Sequence, residues 1–429
     1  MNHTPNITDT PPEPPALSTA AACKGLKIAV VTETYAPEVN GVAMTLGRIV
    51  NGMLARGHEV QLHRPRQTHE AGLPYAIKNT FSSGLQEHLY RGLPLPGYGE
   101  LRFGTPAQSR LFQQWRKARP DIVHVVTEGP LGQSAVAAAR KLHLPLSSSF
   151  HTNFQSYSQH YGVGLMHTAI DGYLRSLHNK TQATMVPTQA MLQALQARGY
   201  ENLSVVSRGV AIELFSPVKR SSALRAEWRA QPDDLVVLYV GRLAKEKNVG
   251  LVITAFRAIQ QRLPSAKLVW VGDGPLRKHL EQSCPQAVFA GVQQHEALAQ
   301  HYASADVFLF PSVTETFGNV VPEALASGLA VVSFARAAAL ELISHGHNGV
   351  LAQQEDEAHF VAAALALVSD RAALQNMRLA AAGSVAHMRW NAVFDRFIHT
   401  LHGVLAEHRK KFYPVIGECL ATPIRLTSA

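Results

Sequence analysis

Twice along this chain an unbroken apolar run gives way to a glycine-bearing loop and then to helical spacing. "KIAVVTE" from Lys27 leads into "TYAPEVNGVAMTLGRIV", and "LVVLYVG" from Leu235 leads into "RLAKEKNVGLVITAFRAI". An apolar run without alternation is buried on both faces, as in a parallel sheet covered by helices. The first run is followed by "HEVQLH", "PDIVHVVTE", "PLSSSFHTN", "ATMVPT" and "LSVVSRGV", and the second by "AKLVWVGDGP", "AVFAGV", "ADVFLFPS", "LAVVSFA" and "GVLAQ". Helical stretches such as "SAVAAARKLHL" lie between them. Alternating strands and helices predict a doubly wound α/β sheet, and the restart predicts two of them in tandem. At 429 residues the chain also exceeds one ordinary core.

The expected division is a Pro/Thr-rich tail over 1–24, one α/β domain over 25–208 and a second over 209–389. The linker falls at Gly209 to Lys219. From Trp390 to His408, the residues Phe394, Phe397, Ile398, Leu401, Val404 and Leu405 recur at helical spacing, which predicts a packed helix, and 411–429 is expected to be a second tail. Two open α/β units facing each other leave a cleft at the carboxyl ends of their strands, so chemistry is sought in the loops after strands.

Composition excludes several classes. The three cysteines, Cys23, Cys284 and Cys419, have neither CxxC nor Cys/His spacing, which argues against a disulfide framework or zinc site and fits a reducing cytosol. No stretch of 18 apolar residues is present to span a bilayer. The first 24 residues lack the basic start and apolar core of a signal peptide. Through residue 210 there are 19 Lys/Arg against 12 Asp/Glu, so most of the net charge of +9 lies in the first half. That half would attract an anionic membrane face or a phosphorylated ligand, or it is an ordinary soluble surface. No nucleic-acid motif accompanies it, and nucleic acid is not an expected partner.

Three loops carry candidate chemistry. In "GRLAKEKN", Arg242 and Lys247 lie in a strand-to-helix loop before a helix start near Asn248, where a fork and a point charge suit a diphosphate; the alternative is two solvated cations. "VGDGPLR" lacks the third glycine of a dinucleotide fingerprint and reads as a tight turn or a ligand contact. In "TETFGNVVPEALASG", Glu315 and Glu323 stand up to roughly 12 Å apart if the segment from Val320 is helical. That is too far to share one proton or water, but it suits the two ends of a long ligand. Phe317, Gly318, Asn319 and Val320 would offer backbone N–H groups at the helix start. The plain alternative is a helix with an acidic first turn, which its dipole favours.

Together "GRLAKEKN", "VGDGP", "ADVFLFPSVTETFGNVVPEALASGLAVV" and Asn348–Gly349 resemble the retaining glycosyltransferase family 4, with its two-domain GT-B fold. "TETYAPEVNGVAMTL" and "SFHTNFQSYSQHYG" resemble the N-terminal domain of its lipid glycosyltransferases and GDP-mannose-dependent α-mannosyltransferases, and the likeness runs from about Lys27 to Phe397. The resemblance implies that a C-terminal helix over 390–410 returns to the N-terminal domain. It implies that Gly41 approaches the donor phosphates through its backbone, that Arg242 and Lys247 neutralise the diphosphate, that Glu315 holds the transferred sugar and that Glu323 holds the ribose. His151 would face the sugar; taken alone, a histidine there reads as structural. The implied donor is GDP-mannose or UDP-glucose, with retention of configuration and a lipid or glycan acceptor. No Asp-x-Asp stands at a strand end, so neither a metal nor a cofactor is expected, the cations and helix-start amides supplying the positive charge.

The chain departs from the family pattern at Gly209-Val210-Ala211, where many relatives have Gly-Val-Asp, and at "FARAAALELI" (Phe334 to Ile343), where paired glycines are usual. On the acceptor side, "RGLPLPGYGELRFGTP" (Arg91 to Pro106) is expected to be a Pro/Gly-rich loop. "SRLFQQWRKAR", with Leu111, Phe112 and Trp115 beside Arg110, Arg116, Lys117 and Arg119, is an interfacial helix or, more in keeping with the strand that follows, a packed crossover helix. The expected setting is the cytoplasm, with peripheral contact at the inner membrane face. A nucleotide-sugar epimerase and a non-catalytic nucleotide-sugar binder are the competing readings.

Overall fold

The computed structural model describes residues 25–38, 40–67, 70, 78–80, 84–95, 98–151, 164–353 and 355–412. In the N-terminal half the strands are β1 (Lys27–Val31), β2 (Glu59–Pro65), β3 (Lys78–Thr80), β4 (Leu85–Tyr90), β5 (Gly92–Leu95), β6 (Tyr98–Gly104), β7 (Ile122–Val125), β8 (Leu146–Ser149), β9 (Ala183–Val186) and β10 (Leu203–Val205). The C-terminal half contributes β11 (Val236–Val240), β12 (Lys267–Val271), β13 (Val288–Phe289), β14 (Val307–Phe310), β15 (Ala330–Phe334) and β16 (Gly349–Ala352).

The first sheet runs β10-β9-β8-β7-β1-β2-β4-β3 and the second β13-β12-β11-β14-β15-β16. Within these two sheets all pairings are parallel except β3 on β4. Every side chain of β7, β8, β9, β11, β14 and β15 is buried, which is why these strands, His124 of β7 aside, read as apolar or small-residue runs. Each strand order reverses beside its first strand, β1 or β11, and the strand ends there face the cleft.

Within the stretch expected as a loop, β5 and β6 form a two-stranded antiparallel ribbon, with Leu93 opposite Phe103 and Pro94 opposite Arg102. Pro94 is tolerated because, among the described residues, the ribbon has no third strand to ask for its missing N–H. The helix Gln108–Lys117 buries Leu111 and Trp115 completely, so its apolar face is spent on the core. Trp115 donates to His63 Nε2 at 3.2 Å, and His63 stacks on His88.

The chain crosses between the halves at one place. Val210 forms a parallel bridge with Arg389, and its N–H donates to the Met388 carbonyl at 2.9 Å. Gly209 is pressed against Trp390, where a Cβ would stand 2.9 Å from the indole. From there the helix Trp390–Phe412 lies on the N-terminal half and gives Phe397, Leu401, Val404 and Leu405 to the core around Ile28, Val30, Leu46 and Val60. The tail residues 1–24 and 413–429 lie outside the described residues.

Candidate active site

On the C-terminal side, β14 ends in a loop that doubles back before the helix Val320–Ala326. The turn depends on Gly318, whose φ of +86 favours glycine; a Cβ there would also stand 3.4 Å from Glu315 Cγ. The fold-back brings the Glu315 carboxylate to Lys247, Nζ to Oε1 2.5 Å, and Ser312 Oγ donates to the same oxygen at 2.9 Å. Thr314 Oγ1 donates to the Glu246 carbonyl at 3.0 Å and so ties this loop to the turn carrying Lys247.

Arg242 is half exposed on that side, its Nη1 3.5 Å from Glu246 Oε1. The Phe317 side chain is buried in the core, and its carbonyl accepts from Ala338 N at 2.9 Å. Among "VGDGPLR", Gly272 and Gly274 pack on the Gly241 and Leu243 backbone, and Leu243 N donates to the Asp273 carbonyl at 2.9 Å. Those glycines therefore serve a loop-on-loop contact. Glu323 faces a different element from Glu315: Tyr302 donates to Oε2 at 3.0 Å, and burial pushes the carboxyl up to about 7.

On the N-terminal side, Gly41 opens the helix Gly41–Ala55, with Asn40 Oδ1 accepting from Val42 N at 3.1 Å and Ala43 N at 2.9 Å. His151 follows β8 by two residues, and the rest of "HTNFQSYSQHYG" lies outside the described residues. Burial holds the His151 imidazole well below its usual value, with the Arg208 charge acting the same way, so the ring is neutral at pH 7.

Arg208, which the sequence did not single out, joins the two sides. Its Nη1 donates to Asn319 Oδ1 at 3.1 Å, its Nη2 lies 3.3 Å from His151 Nδ1, and its guanidinium sits 5.7 Å from the centre of the Phe317 ring. A guanidinium can only donate, so His151 Nδ1 is the acceptor and the proton of the neutral ring rests on Nε2. A small cavity behind the pair is lined by Thr45, Ser149, Met185 and Phe397. A Cβ on Gly41 would stand 3.6 Å from Arg208 Nη1 and 3.9 Å from Asn319 Nδ2. Thus Gly41, His151, Arg208 and Asn319 form one cluster and Lys247, Glu315 and Ser312 another, linked by the short loop from Glu315 to Asn319; Glu323 pairs instead with Tyr302 and Arg242 with Glu246.

Glu33, two residues past β1, is a second residue that spacing did not reveal. Its carboxylate accepts from the backbone N–H of Leu131 at 3.0 Å and of Gly104, capping the helix Pro130–Lys141, and burial raises it to about 7.

Among the described residues, no group of three or more His, Cys, Asp or Glu is placed to hold a metal, and no helix is long and apolar enough to cross a membrane. The architecture is that of the solved Anabaena Alr3699/HepE in complex with UDP, with a TM-score of 0.71 at 20% identity over 88% of this chain and 100% of that one. The fold is therefore GT-B, the two-sheet class of glycosyltransferases. The family model for Glycosyltransferase Family 4 matches residues 39–214, and that for Glycosyl transferases group 1 matches 234–370. A GDP-mannose-dependent alpha-mannosyltransferase of Corynebacterium glutamicum is 30% identical over 388 residues, 89% of this chain and 90% of that protein. One of the same name from Mycobacterium tuberculosis is 32% identical over 376 residues, 87% and 96% of the two chains. The chain belongs to glycosyltransferase family 4 and is a glycosyltransferase.

Proposed function

We propose that the protein transfers a hexose, with retention and without a metal, from GDP-mannose or UDP-glucose to a lipid or glycan hydroxyl. The observation that carries this reading is the Lys247–Glu315 contact at 2.5 Å in the loops after two neighbouring strands of one sheet. Ser312 and Lys247 both use Oε1 of Glu315, which leaves Oε2 to accept from sugar hydroxyls. Lys247 has further N–H groups for a phosphate, with Arg242 beyond it and the amides from Phe317 to Val320 at the helix start. His151, neutral and protonated on Nε2, donates to a hydroxyl of the transferred sugar. Glu323 takes the ribose diol, and the Gly41 backbone adjoins the phosphates.

In the reaction the C1–O bond to the leaving phosphate breaks, and a C1–O bond to the acceptor forms on the same face. The acceptor's proton passes to the departing phosphate oxygen. Lys247 and its neighbours offset the charge that develops there; such preorganised donors are worth about 10²- to 10³-fold each. The names of the relatives, mannosyltransferases above all, support the mannosyl donor. The test is to incubate purified protein with GDP-mannose or UDP-glucose, with and without a glycolipid acceptor, and to identify products by mass. Turnover that changes the sugar without an acceptor would favour an epimerase, and no turnover with any donor would favour a mere binder.

Two further outcomes follow. Glu323 is a better acceptor for two ribose hydroxyls when ionised, and its raised value means that it ionises only around pH 7. Donor affinity should therefore strengthen as pH rises from 6 to 8, and Glu323→Gln should flatten that dependence in calorimetric titrations; an unchanged slope would remove Glu323 from the donor site. The same raised value adds stability below pH 4.5 that is lost as pH rises through about 7.

Gly41→Ala puts a methyl group only in ordinary contact with Arg208 and Asn319. It should leave the melting temperature nearly unchanged yet weaken GDP or UDP binding, whereas a large fall in melting temperature with intact binding would give Gly41 a purely structural role. We further propose that the protein contacts an anionic membrane face peripherally, on the strength of its basic first half. The protein should sediment with anionic vesicles in low salt and be released as salt rises, and vesicle binding indifferent to salt would end it.

A further inference from the structure

Arg208 is 6% exposed, and among the described residues no carboxylate lies within ion-pair distance of it. A guanidinium has five N–H donors. Two atoms are engaged, Nη1 with Asn319 and Nη2 with His151, while Nε is buried and bonds to no described residue. The loop that continues from His151, "TNFQSYSQHYGV", has no acidic residue in it that could serve as a partner. A buried charge is normally paired, and here the nearest compensation is the Phe317 ring face and the more distant Glu315. The cost of this arrangement shows in the side chain's own acidity, which burial moves down to about 10.

We propose that Arg208 is a donor-binding residue that receives a phosphate oxygen of the nucleoside diphosphate, opposite Lys247. This deepens the transfer reading above and rests on it. The geometry favours a phosphate over an anionic acceptor. Arg208 lies against Gly41 and Asn319, which begin helices from the two halves, and on the ring of Phe317, in the short loop that also carries Glu315. The diphosphate is the part of a sugar nucleotide that meets that point when Glu315 holds its sugar and Lys247 its phosphate. Arg208 also keeps the proton of His151 on Nε2, so one guanidinium couples the charge of the leaving group to the orientation of the residue facing the sugar.

The test is calorimetry on the full chain with GDP and UDP, and with guanosine and uridine, which lack the phosphates. Arg208→Gln should weaken the preferred diphosphate by about tenfold or more, as expected for a lost charge-assisted hydrogen bond, and leave its nucleoside unchanged. Circular dichroism melting shows whether the variant is folded. If it is not, Arg208→Lys decides, since it keeps the charge but loses the fork and should weaken the diphosphate several-fold, again without touching the nucleoside. Equal loss for diphosphate and nucleoside, no loss for either, or an effect confined to the acceptor KM would each overturn the proposal. If the unaltered protein bound neither GDP nor UDP, the transfer reading itself would fall, and this inference with it.

Discussion

Glu315→Gln is expected to lower kcat for glycosyl transfer by about 10²- to 10³-fold, the scale of losing one preorganised electrostatic contact at a reacting centre. The substitution is isosteric, so the loop around Gly318 should hold. What changes is the charge: Lys247 loses its partner at 2.5 Å, and the sugar loses an anionic acceptor for its hydroxyls. Lys247→Ala removes the other half and should cost a similar factor. Because the two side chains act as a unit, the double variant should be little worse than either single one. Steady-state rates at saturating donor read this directly. Full additivity of the two losses would mean that the side chains work separately, and near-normal turnover in Glu315→Gln would take Glu315 out of the site.

The largest stability effect is expected at Asp306, just before β14. Its carboxylate is 8% exposed and receives Arg220 at 2.9 Å, Arg225 at 3.2 Å and Arg378 at 3.1 Å, along with the backbone N–H of Val236 at 2.9 Å. Asp306→Ala leaves three arginines around an empty place, two of them themselves largely buried, and should destabilise the C-terminal half by about 3–5 kcal/mol, the usual cost of orphaning buried charge. Urea unfolding followed by the fluorescence of Trp228 and Trp270, both in that core, measures it. A loss below about 1 kcal/mol would mean that the arginines find water or other partners when the aspartate is gone. Arg220 and Arg225 follow directly on the crossing segment, so the same cluster fixes where the second half begins.

Both sheets were legible because their strands are buried on two faces and so spell apolar runs such as "LVVLYV" and "VFLF". β4, "LQEHLY", was not, since its charge is local business: Glu87 serves Arg64, a pair 2.8 Å apart that also engages Glu70. The ribbon of β5 and β6 was hidden by the prolines and glycines of its segment, which ordinarily argue against a strand. Among the proposed site residues, Glu315, Lys247 and Gly318 drew notice because each stands in a loop after an apolar strand, but the contact of Lys247 with Glu315, 68 positions away, left no trace in either loop. Arg208 drew no notice. Nothing in "SRGV" distinguishes a surface arginine from one buried between two halves, and its meaning arises only when Asn319, 111 positions away, closes over it. Glu33 is similar: it caps a helix that begins nearly a hundred residues later. Local pattern reveals residues whose partners are close in sequence, whereas a charge whose partners are brought by tertiary packing leaves no local trace.

The paired crossing at Val210 and Arg389 has a consequence for biosynthesis. Because Phe397, Leu401, Val404 and Leu405 complete the core around Ile28 and Val30, that core cannot close until the ribosome has made the whole of the second sheet. Topologically the C-terminal half is an insert within the N-terminal one. The half made first must wait, with part of its apolar interior open, for the last helix to arrive. A stop codon anywhere before Trp390 would therefore damage the beginning of the protein as surely as its end.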